Sequence, residues 1–288
     1  MMFKASCDLP SEILPALEDY LYEIAPSSWF IVEDEIKGLS QLIGYFTCKD
    51  NAISEISSLS EFSIFETDFQ FDELADRDWK ESYKAHFSPW NYKFFHLIPS
   101  WEKNNYVIPE NDIYLYLDPG MAFGTGNHET TRMCIEFLID HRTRFSKHET
   151  LIDLGCGSGI LSLVAKRLGY VDILGVDSDP DAVRISNENA LLNDISIGVD
   201  FKISDLSNME IGNEKYDCIV ANIQADILQL CSDQINLLAK DDSVIILSGI
   251  LSQEIDEVIG TFLKNSSRLK NYKLKTSGEW SSVLFSRF

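Results

Sequence analysis

The sequence predicts an α/β protein in which a small α+β domain precedes a larger domain with a seven-stranded, mostly parallel sheet. Three observations lead to this prediction. After residue 150, strand-like and helix-like runs alternate, which is typical of a parallel sheet with helices on both faces. The first 70 residues instead follow the order β-α-β-β-α-β. The chain has 288 residues, of which 45% are hydrophobic, and this is enough to form two buried cores.

Residues 1–70 are predicted to form a ferredoxin-like domain. Ser11 is a favoured helix N-cap residue, and Leu14, Leu17 and Leu21 follow it at helical spacing. The same criteria, applied along the segment, predict strands at 2–7, 29–33, 39–47 and 62–69 and helices at 11–24 and 52–59. Four strands and two helices in this order pack as a split β-α-β sandwich.

Residues 71–110 are predicted to link the two domains through a helix and connecting strands. An amphipathic run occupies residues 72–87, and an aromatic-rich run follows at 89–95. Aromatic side chains could line a ligand groove, but they are found more often in buried cores. We therefore interpret the aromatic residues of this segment as packing residues: Trp79, Tyr83, Trp90, Trp101 and Tyr106.

Residues 111–288 are predicted to form the larger domain. Five strand-like segments alternate with helical runs, and two more segments flank the turn signal Ser277-Gly278 as a terminal hairpin. The predicted strands cover 151–154, 173–176, 200–203, 218–221, 244–247, 269–276 and 280–285. Ligands of open parallel sheets bind beyond the carboxyl ends of the strands, so we expect a site at that edge.

The composition argues against several classes of protein. The chain carries 24 basic and 46 acidic residues, a net charge of −22, so general binding to nucleic-acid phosphates is not expected. No apolar run reaches the roughly 20 residues of a membrane span, and the N-terminus lacks the apolar core of a secretory signal. The six cysteines form no Cys-x-x-Cys pair and the histidines are not clustered, so neither disulfides nor a metal site are expected. We expect a cytoplasmic monomer.

The most informative segment is the glycine-rich turn Gly-Cys-Gly-Ser-Gly at 155–159, which follows an apolar strand and precedes a helical run. Glycines let the backbone turn sharply and let a ligand approach closely. The Gly-x-Gly-x-Gly spacing departs from the Gly-x-Gly-x-x-Gly fingerprint of dinucleotide sites. Asp153 precedes the turn, where a carboxylate disfavours a pyrophosphate and suits a cation. S-Adenosylmethionine matches this turn, because it carries a sulfonium and an ammonium group and no phosphate.

Asp177 supports the same interpretation. It ends the second strand of the larger domain, in the run Leu-Gly-Val-Asp. A carboxylate at this position can accept hydrogen bonds from both hydroxyls of a ribose. The structural alternative is a tight β-α turn in which Asp177 caps the helix that starts near Pro180.

Two further segments are expected at the same edge of the sheet. The segment 118–131, Asp-Pro-Gly-Met-Ala-Phe-Gly-Thr-Gly-Asn-His-Glu-Thr-Thr, has three glycines and several hydroxyls before a helical run. Asn222 ends the fourth strand in the run Ala-Asn-Ile, and its amide can both donate and accept hydrogen bonds.

Together, the 118–131 loop, the 153–159 turn, Gly175-Val176-Asp177 and Ala221-Asn222-Ile223 resemble the PrmA family, which methylates ribosomal protein L11. The resemblance covers essentially the whole chain. It implies a Rossmann-like class I methyltransferase domain, S-adenosylmethionine as cofactor, and methyl transfer to lysine side chains and the N-terminal amine of L11. It also implies that the N-terminal domain recognises L11.

The resemblance also assigns site residues. It implies that a set of side chains and glycines contacts S-adenosylmethionine: Thr131, Gly155, Gly157, Asp177 and Asn222. It further implies that Phe123 and Gly124 close over the methionine end of the cofactor. The chain departs from the family pattern at Asn127 and at residues 224–226.

The expected reaction requires alignment and a neutral amine. Alignment alone can contribute roughly 7 to 11 kcal/mol. Desolvation and the nearby sulfonium both lower the pKa of an amine, so no strong side-chain base is required. We expect Asn222 to orient the amine through its carbonyl oxygen. His128 is a candidate proton acceptor, but a loop histidine bonded to neighbouring groups is the more frequent arrangement.

Other functions stay open at this stage. The nearest is an S-adenosylmethionine-dependent methyltransferase that acts on another protein, an RNA or a small molecule. A NAD-dependent oxidoreductase is disfavoured by the glycine spacing and by Asp153. The third alternative is a non-catalytic binding protein with the same fold. The acidic surface would attract a basic ribosomal protein, although charge of one sign is more often a solubility feature.

Overall fold

The computed structural model divides into two units, residues 1–86 and 87–288, each with its own core. The structure describes residues 2–10, 12–23, 28–34, 39–46, 48–74, 88–118, 128–142, 149–208, 214–266, 268–269 and 271–286. The amphipathic run predicted at 72–87 lies mostly outside these residues.

In its described residues, the first unit comprises a four-stranded antiparallel sheet and two α-helices. Its strands are β1 (Met2–Leu9), β2 (Trp29–Asp34), β3 (Leu39–Phe46) and β4 (Gln70–Leu74), and its helices are α1 (Leu14–Glu23) and α2 (Lys49–Ile56). The strands lie in the order β2-β3-β1-β4, which confirms the predicted ferredoxin-like arrangement. Sheet and helices share one core, which includes Ala5, Leu17, Trp29, Leu42, Ala52 and Leu59.

The prediction of a strand at 62–69 is wrong, because the last described strand of this unit, β4, covers Gln70–Leu74 instead. Residues 57–62 and 66–68 form short 3₁₀ turns instead. Oδ2 of Asp68 accepts the backbone N–H of Phe65 at 2.8 Å, and serine hydroxyls donate to carbonyls three residues earlier. Local bonds of this kind compete with strand pairing.

The second unit begins with a small three-stranded sheet. β5 (Trp90–Tyr92) pairs antiparallel with β6 (Phe95–Pro99), and β6 pairs in parallel with β7 (Ile113–Leu117). Two of these strands lie in the segment predicted as a linker, and the boundaries at residues 70 and 110 stay predictions. Apolar side chains of this sheet belong to a core of the second unit: Phe95, Leu97, Leu115 and Leu117.

The main sheet of the second unit has seven strands in the order β10-β9-β8-β11-β12-β14-β13. They are β8 (Thr150–Leu154), β9 (Asp172–Asp177), β10 (Val199–Ile203), β11 (Tyr216–Asn222), β12 (Ala239–Leu251), β13 (Asn271–Ser277) and β14 (Trp280–Ser286). The first five strands in this order are parallel, and β14 and β13 form the predicted antiparallel hairpin. This confirms the predicted α/β sheet.

Helices cover both faces of this sheet. They are α3 (Glu129–Arg142), α4 (Ile160–Arg167), α5 (Pro180–Leu192), α6 (Ala225–Leu230), α7 (Ser232–Leu237) and α8 (Ile255–Asn265). Alternate strand residues enter opposite cores: Leu151 packs with α3 and α4, whereas Ile152 packs with α6, α7 and α8. None of the described helices is long and apolar enough to cross a lipid bilayer.

Candidate functional site

The glycine-rich turn at 155–159 joins the end of β8 to the start of α4. Gly155, Gly157 and Gly159 have φ angles of 73°, 54° and 77°, which other residues rarely adopt. A Cβ atom on Gly155 would also lie 2.4 Å from Cγ2 of Ile223. Backbone shape and packing both require glycine here, and the bare backbone lies at the carboxyl edge of the sheet.

Asp153 and Ser162 hold the two ends of this turn together. The backbone N–H and the hydroxyl of Ser162 donate to Oδ2 of Asp153 at 3.0 and 2.7 Å. The carboxyl group is fully buried, and its Oδ1 has no hydrogen-bond partner among the described residues. Burial raises the pKa of Asp153 to about 7, against the opposing effect of the Ser162 hydrogen bonds. The Asp153 carboxyl group therefore lies in the protein interior, where it connects the strand before the turn to α4.

Asp177 ends β9 beside the glycine turn, and both of its carboxylate oxygens are anchored. Oδ2 accepts the N–H of Gly157 at 2.8 Å, and Oδ1 accepts the N–H of Asp179 at 3.0 Å. The following helix, α5, is capped by Asp179, whose side chain accepts the N–H of Asp181. The capping role, which is the structural alternative for Asp177, therefore belongs to Asp179. Asp177 is partly exposed, and its oxygens keep lone pairs for further donors.

Helix α5 connects the glycine turn to the segment that begins at Asp118. The hydroxyl of Ser186 donates to the carbonyl of Gly157 at 2.9 Å, and Nδ2 of Asn189 donates to the carbonyl of Ser158 at 3.0 Å. Oδ1 of Asn189 accepts the N–H of Asp118, also at 3.0 Å. Asn189 was not among the site residues predicted from the sequence. The available signal was its place on the apolar face of a helix, where an amide must find partners.

Asn193, four residues after Asn189, holds the end of β7 in a similar way. Its Oδ1 accepts the N–H of Tyr116 at 2.8 Å, and its Nδ2 donates to the carbonyl of Tyr116 at 2.6 Å. The side chain thus pairs with β7 as a neighbouring strand would. The carboxyl end of β7 and the glycine turn are therefore fixed relative to one another by a single helix.

The loop between β7 and α3 is described only at its ends. Residues 119–127 lie outside the described residues, so the positions of Phe123 and Gly124 over a cofactor stay predictions. At one end, the hydroxyl of Ser100 donates to Oδ2 of Asp118 at 3.3 Å. At the other end, His128 directly precedes α3.

Thr131, in the first turn of α3, and Asn222, at the end of β11, lie side by side. Nδ2 of Asn222 donates to Oγ1 of Thr131 at 3.2 Å. Thr131 is fully buried, and Asn222 is 8% exposed. Oδ1 of Asn222 is buried and has no hydrogen-bond partner in the part of the chain that the structure describes. A buried acceptor without a donor is unfavourable, so this oxygen is a ready acceptor for a ligand.

His128 serves the first turn of α3. Its Nδ1 lies 2.8 Å from Oγ1 of Thr130 and accepts the N–H of Thr130 at 3.4 Å. Its ring meets the ring of Trp280 edge-on, with centroids 5.0 Å apart. Burial lowers the pKa of His128, so the imidazole is neutral at pH 7. These contacts match the local hydrogen-bonding alternative for His128, and its role as a proton acceptor stays a hypothesis. The sequence analysis did not single out Trp280.

These groups form one row along the carboxyl edge of the parallel strands. Since β9, β8 and β11 are neighbours in that order, Asp177, the glycine turn and Asn222 follow one another along the edge. Neighbouring strands lie about 4.8 Å apart, which separates Asp177 from Asn222 by roughly 10 Å. The row can hold an elongated ligand whose hydroxyls lie at Asp177, and Oδ1 of Asn222 offers an acceptor to a donor group at the other end of the row. No cluster of three or more metal-ligating side chains occurs among the described residues.

Comparisons with known proteins agree with this geometry. The family model described as Ribosomal protein L11 methyltransferase (PrmA) matches residues 18–287. A ribosomal protein L11 methyltransferase of Alkaliphilus oremlandii is 38% identical over 213 residues, which are 74% of this chain and 65% of that relative. One of Caldicellulosiruptor bescii is 33% identical over 307 aligned positions, which cover 98% of this chain and 97% of the relative.

A solved structure shares the fold of the larger part of the chain. The crystal structure of a ribosomal protein L11 methylase from Lactobacillus delbrueckii subsp. bulgaricus superposes with a TM-score of 0.60 at 28% sequence identity. The superposition covers 70% of this chain and 99% of that protein. The family model and the relatives confirm the resemblance found in the sequence motifs. The chain therefore belongs to the ribosomal protein L11 methyltransferase (PrmA) family.

Proposed function

We propose that this protein transfers methyl groups from S-adenosylmethionine to amino groups of ribosomal protein L11. The observation that carries the proposal is the buried amide of Asn222, whose Oδ1 has no donor among the described residues and lies on the same sheet edge as the glycine turn. Such an acceptor can hold one hydrogen of an amine nucleophile and so orient its lone pair. Family membership and the names of the relatives support the same substrate.

The turn and Asp177 fit the cofactor. Bare glycine backbone at 155–159 can pass close to the methionine end, and the anchored carboxylate of Asp177 can accept both ribose hydroxyls. Thr131, Gly155, Gly157, Asp177 and Asn222 are the residues that we propose to hold S-adenosylmethionine, with Phe123 and Gly124 closing over its methionine end. When bound, S-adenosylmethionine supplies an electrophilic methyl group on a positively charged sulfur.

The protein must present a neutral amine in line with that methyl group. A lysine amine has a pKa of about 10.4, so holding it neutral at pH 7 costs roughly 4 to 5 kcal/mol. Burial beside a cation lowers the pKa of the amine and offsets this cost. Oδ1 of Asn222 can accept one amine hydrogen and so direct the lone pair of the nitrogen at the methyl group.

The lysine ammonium group loses its proton to bulk water before the methyl group is transferred, so no side-chain base is assigned. His128 is neutral at pH 7, but its Nδ1 is already an acceptor for the N–H of Thr130. The contacts with the hydroxyl and the N–H of Thr130 both occupy Nδ1, which faces the first turn of α3. We therefore assign His128 to the N-terminus of α3 and assign only the orienting role to Asn222.

The charge of the chain suits a basic protein substrate. A net charge of −22 creates a long-range attraction for a positively charged partner, which increases the rate of encounter. We assign L11 recognition to the first unit, because it has a separate core and contributes none of the site residues described above. We further propose that the enzyme acts as a monomer. We also propose that it is located in the cytoplasm, because thiols such as its six free cysteines stay reduced there. Light scattering tests the oligomeric state.

Mass spectrometry of purified L11 after incubation with the enzyme and S-adenosylmethionine tests this function. We expect L11 to gain whole methyl increments at lysines and at its N-terminus, and to gain none when S-adenosylhomocysteine replaces the donor. If L11 stays unmodified while RNA or another protein in a cell extract is labelled, the substrate assignment is wrong. If NAD binds in calorimetry and S-adenosylhomocysteine does not, the methyltransferase assignment itself is wrong.

A further inference from the structure

Strand β12 is irregular beside the end of β11. The register between β12 and β14 shifts between Leu247 and Ile250, and Gly249 has a φ of 80°. Ser248, directly before this bulge, is the register partner of Asn222. Bulges re-aim side chains and occur often beside functional sites. The bulge in β12 therefore lies where it can determine the position of Asn222, the last residue of β11.

The bulge brings two backbones into direct contact. A Cβ atom on Gly249 would lie 2.6 Å from the carbonyl oxygen of Ile223 and 3.1 Å from its nitrogen. Ile223 directly follows Asn222, so the peptide after the site residue packs against bare backbone of β12. A side chain at position 249 would push Ile223 away and move Asn222 with it.

Ser248 makes the second connection, to helix α3. Its hydroxyl donates to the backbone carbonyl of Thr130 at 3.0 Å, and it also shares a hydrogen bond with the hydroxyl of Ser282 on β14. Ser248 and Ser282 are completely buried, and Thr130 is 1% exposed. The first turn of α3 is therefore tied to β12 and β14 by a buried chain of hydroxyl groups.

This chain of bonds reaches Asn222 through Thr131. Thr130 precedes Thr131 in the first turn of α3, and the Thr131 hydroxyl accepts from Nδ2 of Asn222. An asparagine amide can rotate by half a turn and exchange its oxygen for its nitrogen. The bond to Thr131 at 3.2 Å opposes that rotation only while the helix turn keeps its position. Ser248 supplies the bond that keeps it there.

We propose that Ser248 is a positioning residue for methyl transfer. It holds the first turn of α3 so that Thr131 engages Nδ2 of Asn222 and Oδ1 faces the substrate amine. This rests on the proposed function, because it assigns a task to Ser248 only if Asn222 orients an amine. Ser248 touches neither the cofactor nor the amine and acts through the Thr131–Asn222 pair.

The test compares Ser248→Ala and Ser248→Thr with a matched control on the same strand. Ser243 is also completely buried on β12, and its hydroxyl donates to the carbonyl of Lys240 at 2.8 Å, away from the site. We expect Ser248→Ala to lower kcat for L11 by about tenfold while the KM values and the affinity for S-adenosylhomocysteine change less than threefold. Ser248→Thr keeps the hydroxyl and should recover most of kcat. Ser243→Ala should keep kcat despite a similar loss of thermal stability.

A double variant separates positioning from folding. In an Asn222→Ala background, Ser248→Ala should produce no further loss of kcat, because the residue through which it acts is gone. If Ser248→Ala does not fold, Ser282→Ala can replace it, because Ser282 hydrogen-bonds to the hydroxyl of Ser248. This variant should give a smaller loss of kcat and no change in KM. The proposal is overturned if Ser248→Ala and Ser243→Ala have the same kcat, or if the two losses multiply in the double variant. Failure of the wild-type enzyme to methylate L11 would instead overturn the function.

Discussion

Asn222 and Thr131 form a buried pair in which the amide nitrogen of Asn222 donates to Thr131 at 3.2 Å, while its oxygen has no hydrogen-bond partner within the described part of the chain. The pair joins the fourth parallel strand of the chain to the helix that follows the predicted 118–131 loop. Two segments that are 91 residues apart in sequence thus create a single acceptor.

Replacing Asn222 by alanine should lower kcat for L11 by about 10- to 100-fold, because the amine nitrogen gains positive charge in the transition state and a hydrogen bond to a charged group is worth about 1.5 to 3 kcal/mol. Asn236→Ala is the matched control, since Asn236 has the same 8% exposure and its Nδ2 donates to the carbonyl of Ser232, away from the site. Steady-state kinetics with labelled methyl donor measure both variants. Equal kcat values for the two variants would remove Asn222 from the reaction.

Asp177→Ala should raise the Kd for S-adenosylhomocysteine by about tenfold or more, because the variant loses two acceptors for the ribose. Asp179→Ala is the control: it removes the cap of α5 and should lower the free energy of unfolding by about 1 kcal/mol with little change in that Kd. Calorimetry gives the binding constants. An unchanged Kd in Asp177→Ala would mean that the ribose lies elsewhere.

Asp153→Asn should change how stability depends on pH. The buried carboxyl has a pKa of about 7 in the folded protein and about 4 when unfolded, so the folded state binds the extra proton between these values. Its contribution to stability is therefore present below pH 4 and is lost as the pH rises through 7. Relative to the wild type, the stability of the Asp153→Asn variant should rise by on the order of 4 kcal/mol from pH 4 to pH 8. Urea unfolding at both pH values measures this, and parallel pH profiles would contradict it.

Gly159→Ala should destabilise the protein more than Gly278→Ala, although both glycines have positive φ. A Cβ atom on Gly159 would lie 2.9 Å from the ring of Phe201 and from Ser186, whereas no atom of the described residues lies within 4 Å of one on Gly278. The left-handed backbone alone costs about 1 to 2 kcal/mol at each site. The crowding at Gly159 should add about 1 to 3 kcal/mol. Denaturant titration measures the stability of both variants. Equal unfolding midpoints for the two would show that the turn relaxes to accommodate the added methyl group.

A chain that begins at residue 87 should fold and bind S-adenosylhomocysteine with unchanged Kd, because the second unit has its own cores and holds the described site residues. It should lose methylation of L11, since we assign recognition to the first unit. Calorimetry and mass spectrometry report the two properties separately. Full turnover by the shortened chain would place L11 recognition in the second unit.

The sequence predicted those features that depend on short segments. The turn at 155–159, Asp177 at the end of β9 and Asn222 at the end of β11 follow directly from strand ends and glycine spacing. The position of β4 could not be predicted from the apolar pattern, because the hydrogen bond between Asp68 and Phe65 forms a local turn where apolar residues suggested a strand.

The supports of the site could not be predicted in the same way. Asn189 bonds to Asp118, which is 71 positions away, and Ser248 bonds to Thr130, which is 118 positions away. A single polar residue carries no periodic signal, and its partner is known only after the fold brings the two together. The family resemblance assigns residues at strand ends and in turns to the cofactor, whereas Asn189 and Ser248 are buried residues that hydrogen-bond to the segments carrying them.

Asn189 in α5 and Asn193, the C-cap residue of that helix, restrict which length changes the chain can accept. Asn189 and Asn193 lie four residues apart, one turn of the helix, and bond to the segments at Ser158 and Tyr116. Inserting or deleting one residue between them would rotate one amide by about 100° relative to the other. Descendants of this sequence should therefore vary in length after Asn193, in the surface connection to β10, and keep the interval between the two asparagines constant.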